Sequence, residues 1–558
     1  MVCHRGWPSG PSRPRLAGAG PAEAAKGWLT ERCARRPSAL VRPPFRLRPA
    51  SRLRGALLAA ATLAGSTALA VPAQAIDVVQ LQLPLLQTSF TVKTAELRDP
   101  SKLIRGSSDL AELDRATSGS IGRELARVFS TPLPLNVRSF ANQAVGSPLL
   151  DQALLLVSAL GEVDGVPDTI DSKDLAASLN RTAASGPLTV VDLLQALPGR
   201  TVTVDLKKFF VGLERLQRQQ SEGLRLAAAT PAAVSPALAA PGPLAIQRTE
   251  QTIPVRHRPE ALAVVVIAPK TGGNGRLAVI SHGLWDSPEG FEGWAKHLAS
   301  HGTTVVLPRH PGSDSSQQQA MLAGKVPPPS PDDLKLRPLD VSALIDAAAS
   351  GALTLPAPVR TDAVVALGQS WGATTVLQLA GLRPSDDRMQ GRCADLRDPD
   401  RNISWVLQCS FKATADQAGL ADPRIKAVVA VSPPTALLFD TGSSQAMTAR
   451  ALLVSGSRDW VVPSGPEAIA PMAAQARGIG GGHRLVLAKG GDHFNLRSPL
   501  EEGGGPLRGL ILAWVNGAFQ AGAAAAPGPT APTLLPADGW GDAEIPLVDV
   551  TPALQKGG

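Results

Sequence analysis

A chain of 558 residues exceeds what one ordinary core fills, so two or more domains are expected. Its formal charge of +8 suggests a binder of nucleic acid or anionic membrane, yet the first 54 residues hold twelve Lys and Arg against two acids, which leaves the remainder at −2. That distribution excludes a phosphate-backbone footprint over the body of the chain, and no nucleic-acid partner is expected.

The basic start runs into RLRGALLAAATLAGSTALAVPAQA. Arg52 and Arg54 precede an uncharged run that ends in Ala73-Gln74-Ala75, the order of a basic n-region, an apolar h-region and an A-x-A cleavage site. Residues 1–75 therefore read as a pre-sequence and signal peptide cleaved after Ala75, giving an exported protein, periplasmic or secreted, of a bacterium. An alanine-rich run of about 17 residues is weak for a span of ~20 apolar residues, so no stable membrane span is expected after cleavage.

Residues 76–225 read as a mainly helical domain. Leu206, Phe209, Phe210, Leu213 and Leu216 follow one helix face with Asp205 placed to cap it, and DQALLLVSAL and TVVDLLQAL read as shorter helices. Residues 76–245 hold no histidine, so a structural role is expected here. Residues 226–245, LAAATPAAVSPALAAPGPLA, read as an Ala/Pro linker, and a chain beginning near Ala245 is expected to retain its chemistry.

Between 246 and 522 β-branched runs alternate with helical ones. Strands are expected at 262–267, 276–280, 303–307, 363–367, 426–431, 451–454 and 484–487, the first two joined through the hairpin-type turn TGGNG. Helices are expected at 291–300, 339–349, 373–380 and 466–475. This is an α/β pattern, a mostly parallel sheet with helices on both faces and ligands at the carboxyl ends of its strands. The insertion 383–424 is about forty residues long where such connections take about 2–6. It is expected to form a small, partly wet cap over the crevice, stapled by Cys393 and Cys409, the two cysteines that remain after residue 75. Residues 523–558 read as a low-complexity tail.

The chemistry centres on AVVALGQSWGATT, where an apolar run ends on Ser370 between Gly368 and Gly372. The pattern G-x-S-x-G is that of a strand-to-helix nucleophile elbow, but chance alone supplies about 0.4 such matches in this composition, so context must decide. Ser370 follows a buried-type strand and opens a helix. Its base should follow the last strand, where His493 stands in LVLAKGGDHFNL. Asp459, just beyond a strand end in ALLVSGSRDWVVP, gives the order Ser, Asp, His; Asp440, one strand earlier, is its rival, and Asp492 reads as a local loop ligand. The N–H groups of Trp371 and of Leu284, in VISHGLWDS, are the expected oxyanion donors. His282 reads as packed under that loop. His297 and His301 have metal-ligand spacing but no third ligand, so a solvated helix face is expected and no metal site.

With these segments in place, the span from about Thr252 to Phe519 resembles an α/β-hydrolase of the group that contains dienelactone hydrolases, platelet-activating-factor acetylhydrolases and cutinase-like polyesterases. VISHGLWDSPEGFEGWAKHLASHGTTVVLPRHPGSD is similar to their oxyanion loop, helix and next strand, and GQSWG, GSRDWVVP and GGDHF to their nucleophile, acid and base segments. Dienelactone hydrolases carry cysteine at the elbow, and the acetylhydrolases place the acid one strand earlier, which keeps Asp440 in play. Residues 76–220 resemble an N-terminal domain of unknown function that precedes such hydrolases in some bacteria. The resemblance implies an exported serine hydrolase acting on carboxylic esters through Ser370, Asp459 and His493, with no metal or organic cofactor. Trp285, Trp371 and Trp460 are expected to flank the crevice, which suits a small-molecule ester with an apolar or lipid-like acyl part. An acyltransferase would need the same triad, and a non-catalytic binding protein could keep the scaffold.

Overall fold

A computed structural model describes residues 76–556 apart from 83–88, 100–102, 121, 125–130, 134–135, 160, 164–169, 182–187, 198, 441, 477–480, 499–502, 523–525 and 529–530. The expected signal peptide and its cleavage site lie outside the described residues. No helix among the described residues is long and apolar enough to cross a membrane.

The described part of 76–225 is mostly helical, as expected, but it also holds a small sheet that was not expected. Strands β1 (Val78–Gln82), β2 (Ser89–Lys93), β3 (Gly161–Val163) and β4 (Thr201–Asp205) form a sheet in the order β2-β1-β4-β3, with β1 and β4 parallel. Short helices pack on it around small cores such as Val92, Leu97, Leu110 and Val191. The two expected helices are present, α1 (Pro148–Ser158) and Val190–Ala196, the latter held by a capping box between Thr189 and Asp192. The third, α2 (Leu206–Leu226), starts where the Asp205 carboxylate accepts the N–H groups of Lys207 and Lys208. Its first apolar face is not core, however: Phe209 and Leu213 remain 44 % and 40 % exposed.

The larger sheet has nine strands: β5 (Ile246–Ile253), β6 (Leu262–Pro269), β7 (Leu277–Ser281), β8 (Thr304–Pro308), β9 (Val364–Gln369), β10 (Ile425–Val431), β11 (Arg450–Gly456), β12 (Arg484–Ala488) and β13 (Leu547–Asp549). Their order is β13-β12-β11-β10-β9-β7-β8-β6-β5, parallel from β12 to β8 and antiparallel at β13, β6 and β5. Each of the seven expected strands is present. β6 and β7 do not form a hairpin, because β8 lies between them. Alternate side chains feed two cores, Val364 and Ala366 into one and Val365 and Leu367 into the other, which is why these strands read as unbroken apolar runs. Helices α3 (Glu292–Ser300), α4 (Asp333–Ser350), α5 (Trp371–Leu379), α6 (Ser404–Ser410) and α7 (Arg508–Ala521) complete the mixed α/β architecture.

Two segments expected to be spacers are built into it. In 226–245, Leu226 and Ala227 join the core, the Ala232 N–H donates to the Leu547 carbonyl at 2.8 Å, and Gly541 N–H donates to Ala233 at 2.8 Å. The tail beyond 522 supplies β13, and Leu534, Leu535, Trp540 and Leu547 are buried. Alanine lets backbones approach closely here: a side chain on Gly541 would collide with the Ala232 carbonyl oxygen. The described residues therefore fall in one compact unit.

A cut near Ala245 would break contacts between the two regions. Side-chain amides of α2 reach into the larger domain, Gln219 donating to the carbonyls of Pro399 (3.1 Å) and Arg401 (3.2 Å) and Gln220 to that of Asp459 (3.0 Å). A fragment starting at Ala245 is expected to melt well below the full chain, since burial of Leu226 alone contributes about 2 kcal/mol. Thermal denaturation of the two proteins measures this, and equal melting temperatures would restore the two-module view.

Candidate active site

β9 ends at Gln369 and α5 begins at Trp371, with Ser370 between them at φ 53° and ψ −122°. A non-glycine residue held there costs about 1–3 kcal/mol and persists only when its surroundings enforce it. Crowding enforces it: a Cβ on Gly368 would collide with the Gly372 carbonyl oxygen, and one on Gly372 with that of Ser281. Neither glycine can be replaced without moving strand from helix.

Ser370 Oγ donates to His493 Nε2 at 3.1 Å, and His493 Nδ1–H donates to Asp459 Oδ2 at 3.0 Å. Asp459 is fully buried, and its second oxygen accepts the N–H groups of Val461 (2.9 Å) and Val462 (2.7 Å), which fixes the carboxylate plane. Gln369 Nε2 donates to the His493 carbonyl at 3.0 Å and ties the loop after β12 to the end of β9. Asp440 follows β10, and its side chain makes no hydrogen bond to His493. Asp492 accepts the N–H groups of Phe494 and Asn495, the local loop role expected of it.

The loop after β7 lies against the serine, since a Cβ on Gly283 would stand 3.4 Å from that of Ser370. The amide N–H groups of Leu284 and Trp371 have no hydrogen-bond acceptor among the described residues, so both remain available to a developing oxyanion. Beneath them lies a polar network that sequence reasoning missed. The fully buried Arg337 donates to the carbonyls of His282 (2.6 Å) and Gly283 (3.3 Å) and pairs with Asp333 at 3.0 Å. His282 packs under the loop as expected, donating from Nδ1 to the Gly283 carbonyl and accepting the His310 N–H at Nε2.

The same network contains a second serine–histidine–aspartate relay. Ser281 Oγ lies 2.8 Å from His310 Nε2, and His310 Nδ1 lies 2.7 Å from Asp340 Oδ2. All three residues are fully buried, so no substrate carbonyl can reach Ser281 and the relay is structural. Burial alone would raise the Asp340 pKa, but hydrogen bonds from His257, His310 and Arg258 outweigh it and hold the carboxyl well below the usual range. The available signal was Asp333, Arg337 and Asp340 in DLKLRPLD, charges at helical spacing among apolar residues.

The insertion 383–424 is partly wet, as expected, with Asp387, Arg397, Asp400 and Asp416 exposed, and it is anchored by buried residues. Cys393 and Cys409 form a disulfide. Trp405 is fully buried, and the Glu467 carboxylate gathers donors from Asn402, Ser404 and Gln408 in the insertion and from the N–H groups of Thr435 and Ala436. Phe411 stacks on Trp371 at 4.4 Å, so the Trp371 indole is covered and does not flank an open crevice. Trp285 bonds to Gln317 through its indole N–H, whereas Trp460 is 45 % exposed beside Asp459.

His297 and His301 are not a solvated pair: they lie 5.0 Å apart and bond to the carbonyls of Leu238 and Ala240. No cluster suited to a metal ion occurs among the described residues. Burial pushes His297 and His483 down to about 4 and also lowers His282 and His310. The unfolded chain, with histidines near 6.5, then binds more protons between pH 6.5 and 4, so stability is expected to fall as pH drops through that window. His297 and His483 should each remove about 2 kcal/mol between pH 7 and pH 5. Urea unfolding at the two pH values measures this, and His297→Gln should remove its share of the slope.

The sequence matches no protein-family model and no curated protein.

Proposed function

We propose that this protein is an exported serine hydrolase of the α/β-hydrolase type that cleaves small-molecule carboxylic esters through an acyl-enzyme. One observation carries the reading: Ser370, on a strained turn at a strand's carboxyl end, is hydrogen-bonded to His493, which is hydrogen-bonded to buried Asp459. The strand order, with a parallel centre and β8 inserted between β6 and β7, supports the fold assignment. A disulfide suits an oxidising compartment and supports export together with the signal-like run before Ala75.

In this reading Ser370 Oγ attacks the ester carbonyl while His493 Nε2 takes its proton. Asp459 Oδ2 holds Nδ1–H and stabilises the imidazolium. Negative charge on the former carbonyl oxygen is met by the N–H groups of Leu284 and Trp371, preorganised by the Arg337 network. His493 returns the proton to the leaving alkoxide, then activates a water that attacks the acyl carbon and frees Ser370. Each proton and each bond is accounted for by these groups and water.

The test is labelling with a serine-reactive fluorophosphonate followed by peptide mapping. Modification confined to Ser370, together with hydrolysis of an activated short-chain ester, is the expected result. An unlabelled folded protein would overturn the reading.

A further inference from the structure

The apolar face of α2 that is not buried in the core forms one wall of a groove of about 870 Å³, a size within the ~300–1,000 Å³ of small-molecule sites. Phe209 and Leu213 of α2 face Ile403 of the insertion, and Trp460 lies along the same groove. Trp460 stands 6.0 Å from Phe494, whose ring lies 5.4 Å from that of His493, so ring contacts link one lining residue of the groove to the candidate base. Five lysines and arginines line it against a single aspartate. Arg401 is 4 % exposed, and its Nε and that of Arg215 are buried without a hydrogen-bond partner. Their terminal nitrogens donate to backbone carbonyls, Arg401 to Cys393 (3.1 Å) and Arg215 to Leu396 (3.3 Å); burial and the positive charge of Arg215 lower the Arg401 pKa against the opposing charges of Asp398 and Asp395. An isolated apolar patch would serve many ends. An apolar groove lined by five cationic side chains against one carboxylate, with Trp460 next to Asp459 in the chain, suits one kind of ligand.

We propose that this groove receives the apolar chain of an amphiphilic, negatively charged ester, with Arg215 and Arg401 facing its anionic group. The assignment rests on the ester-hydrolase reading for the reaction but not for the binding. It explains why the region before 245 is fused to the catalytic half: α2 supplies a wall of the substrate site.

The binding test uses the full-length Ser370→Ala protein, dansyl-undecanoic acid as fluorescent probe, and competitors below their critical micelle concentrations. Dodecanoate should displace the probe, whereas butyrate and dodecyltrimethylammonium should not. Leu213→Ser and, on the opposite wall, Ile403→Ser should each weaken dodecanoate binding by about tenfold. In the protein with Ser370 intact, both changes should lower the ratio of dodecanoyl-ester to butyryl-ester turnover. Equal displacement by the cationic surfactant, or unchanged binding in both wall variants, overturns the proposal. So does sedimentation with phosphatidylglycerol vesicles without binding of monomeric dodecanoate, which would make the same face a membrane-docking surface. Dodecanoate binding in a protein that hydrolyses no ester would uphold the groove and reject the hydrolase reading; hydrolysis of short esters without such binding would do the reverse.

Discussion

Replacing Ser370 by alanine is expected to reduce ester hydrolysis by on the order of 10⁶ in kcat, to the level set by binding and oxyanion contacts alone. Folding should survive, because the change removes a single hydrogen bond, to His493 Nε2, worth about 1 kcal/mol. The backbone strain at φ 53° is the same for alanine as for serine. Steady-state kinetics with an activated ester, alongside a thermal melt, separate loss of chemistry from loss of fold. Ser281→Ala is the matched contrast. It leaves a buried ring nitrogen of His310 without its partner and should cost about 1–3 kcal/mol of stability while fluorophosphonate labelling continues. Near-normal turnover in a folded Ser370→Ala protein would remove the proposed nucleophile.

The parts of this molecule that were legible in sequence are those where local pattern and long-range packing agree. Val364 to Leu367 are buried on both faces, so the strand announces itself as an apolar run, and Gly368 and Gly372 are demanded by backbone contacts no side chain could survive. The relay was legible because its members sit at strand ends in a fixed order. The choice between Asp459 and Asp440 was not, since both follow strands; only the approach of the β11 and β12 loops places one of them at His493.

What was not legible depends on partners far away in the chain. β1 and β4 are parallel neighbours separated by more than a hundred residues, and both are only half-buried, so neither reads as the unbroken apolar run that marks the strands of the larger sheet. β13 spans Leu547–Asp549 and gains its identity only from β12. The Ala/Pro stretch before 245 carries no amphipathic period, yet small side chains are what close backbone packing against 539–541 requires. Phe209 and Leu213 have the period of a core-facing helix, and periodicity cannot distinguish a face turned to a core from one turned to a groove.

Asp459→Asn is expected to lower kcat/KM by about 10⁴, the scale seen when a triad aspartate becomes an amide. The geometry gives the reason. One carboxylate oxygen already accepts the N–H groups of Val461 and Val462, so an asparagine there must keep its carbonyl oxygen on that side. Its amide N–H₂ then faces His493 Nδ1. The imidazole must present a lone pair at Nδ1 and carry its proton on Nε2, where it can no longer accept the proton of Ser370. The fold should persist, because size and the two backbone contacts are conserved. Asp440→Asn, whose side chain makes no hydrogen bond to His493, should change kcat/KM by no more than about twofold, as expected of a substitution outside the triad's hydrogen bonds. Matched kinetics on the two variants, with melting curves for each, decide between them. Equal losses would mean that Asp459 does not orient His493 during turnover, and a larger loss at Asp440 would place the working acid one strand earlier.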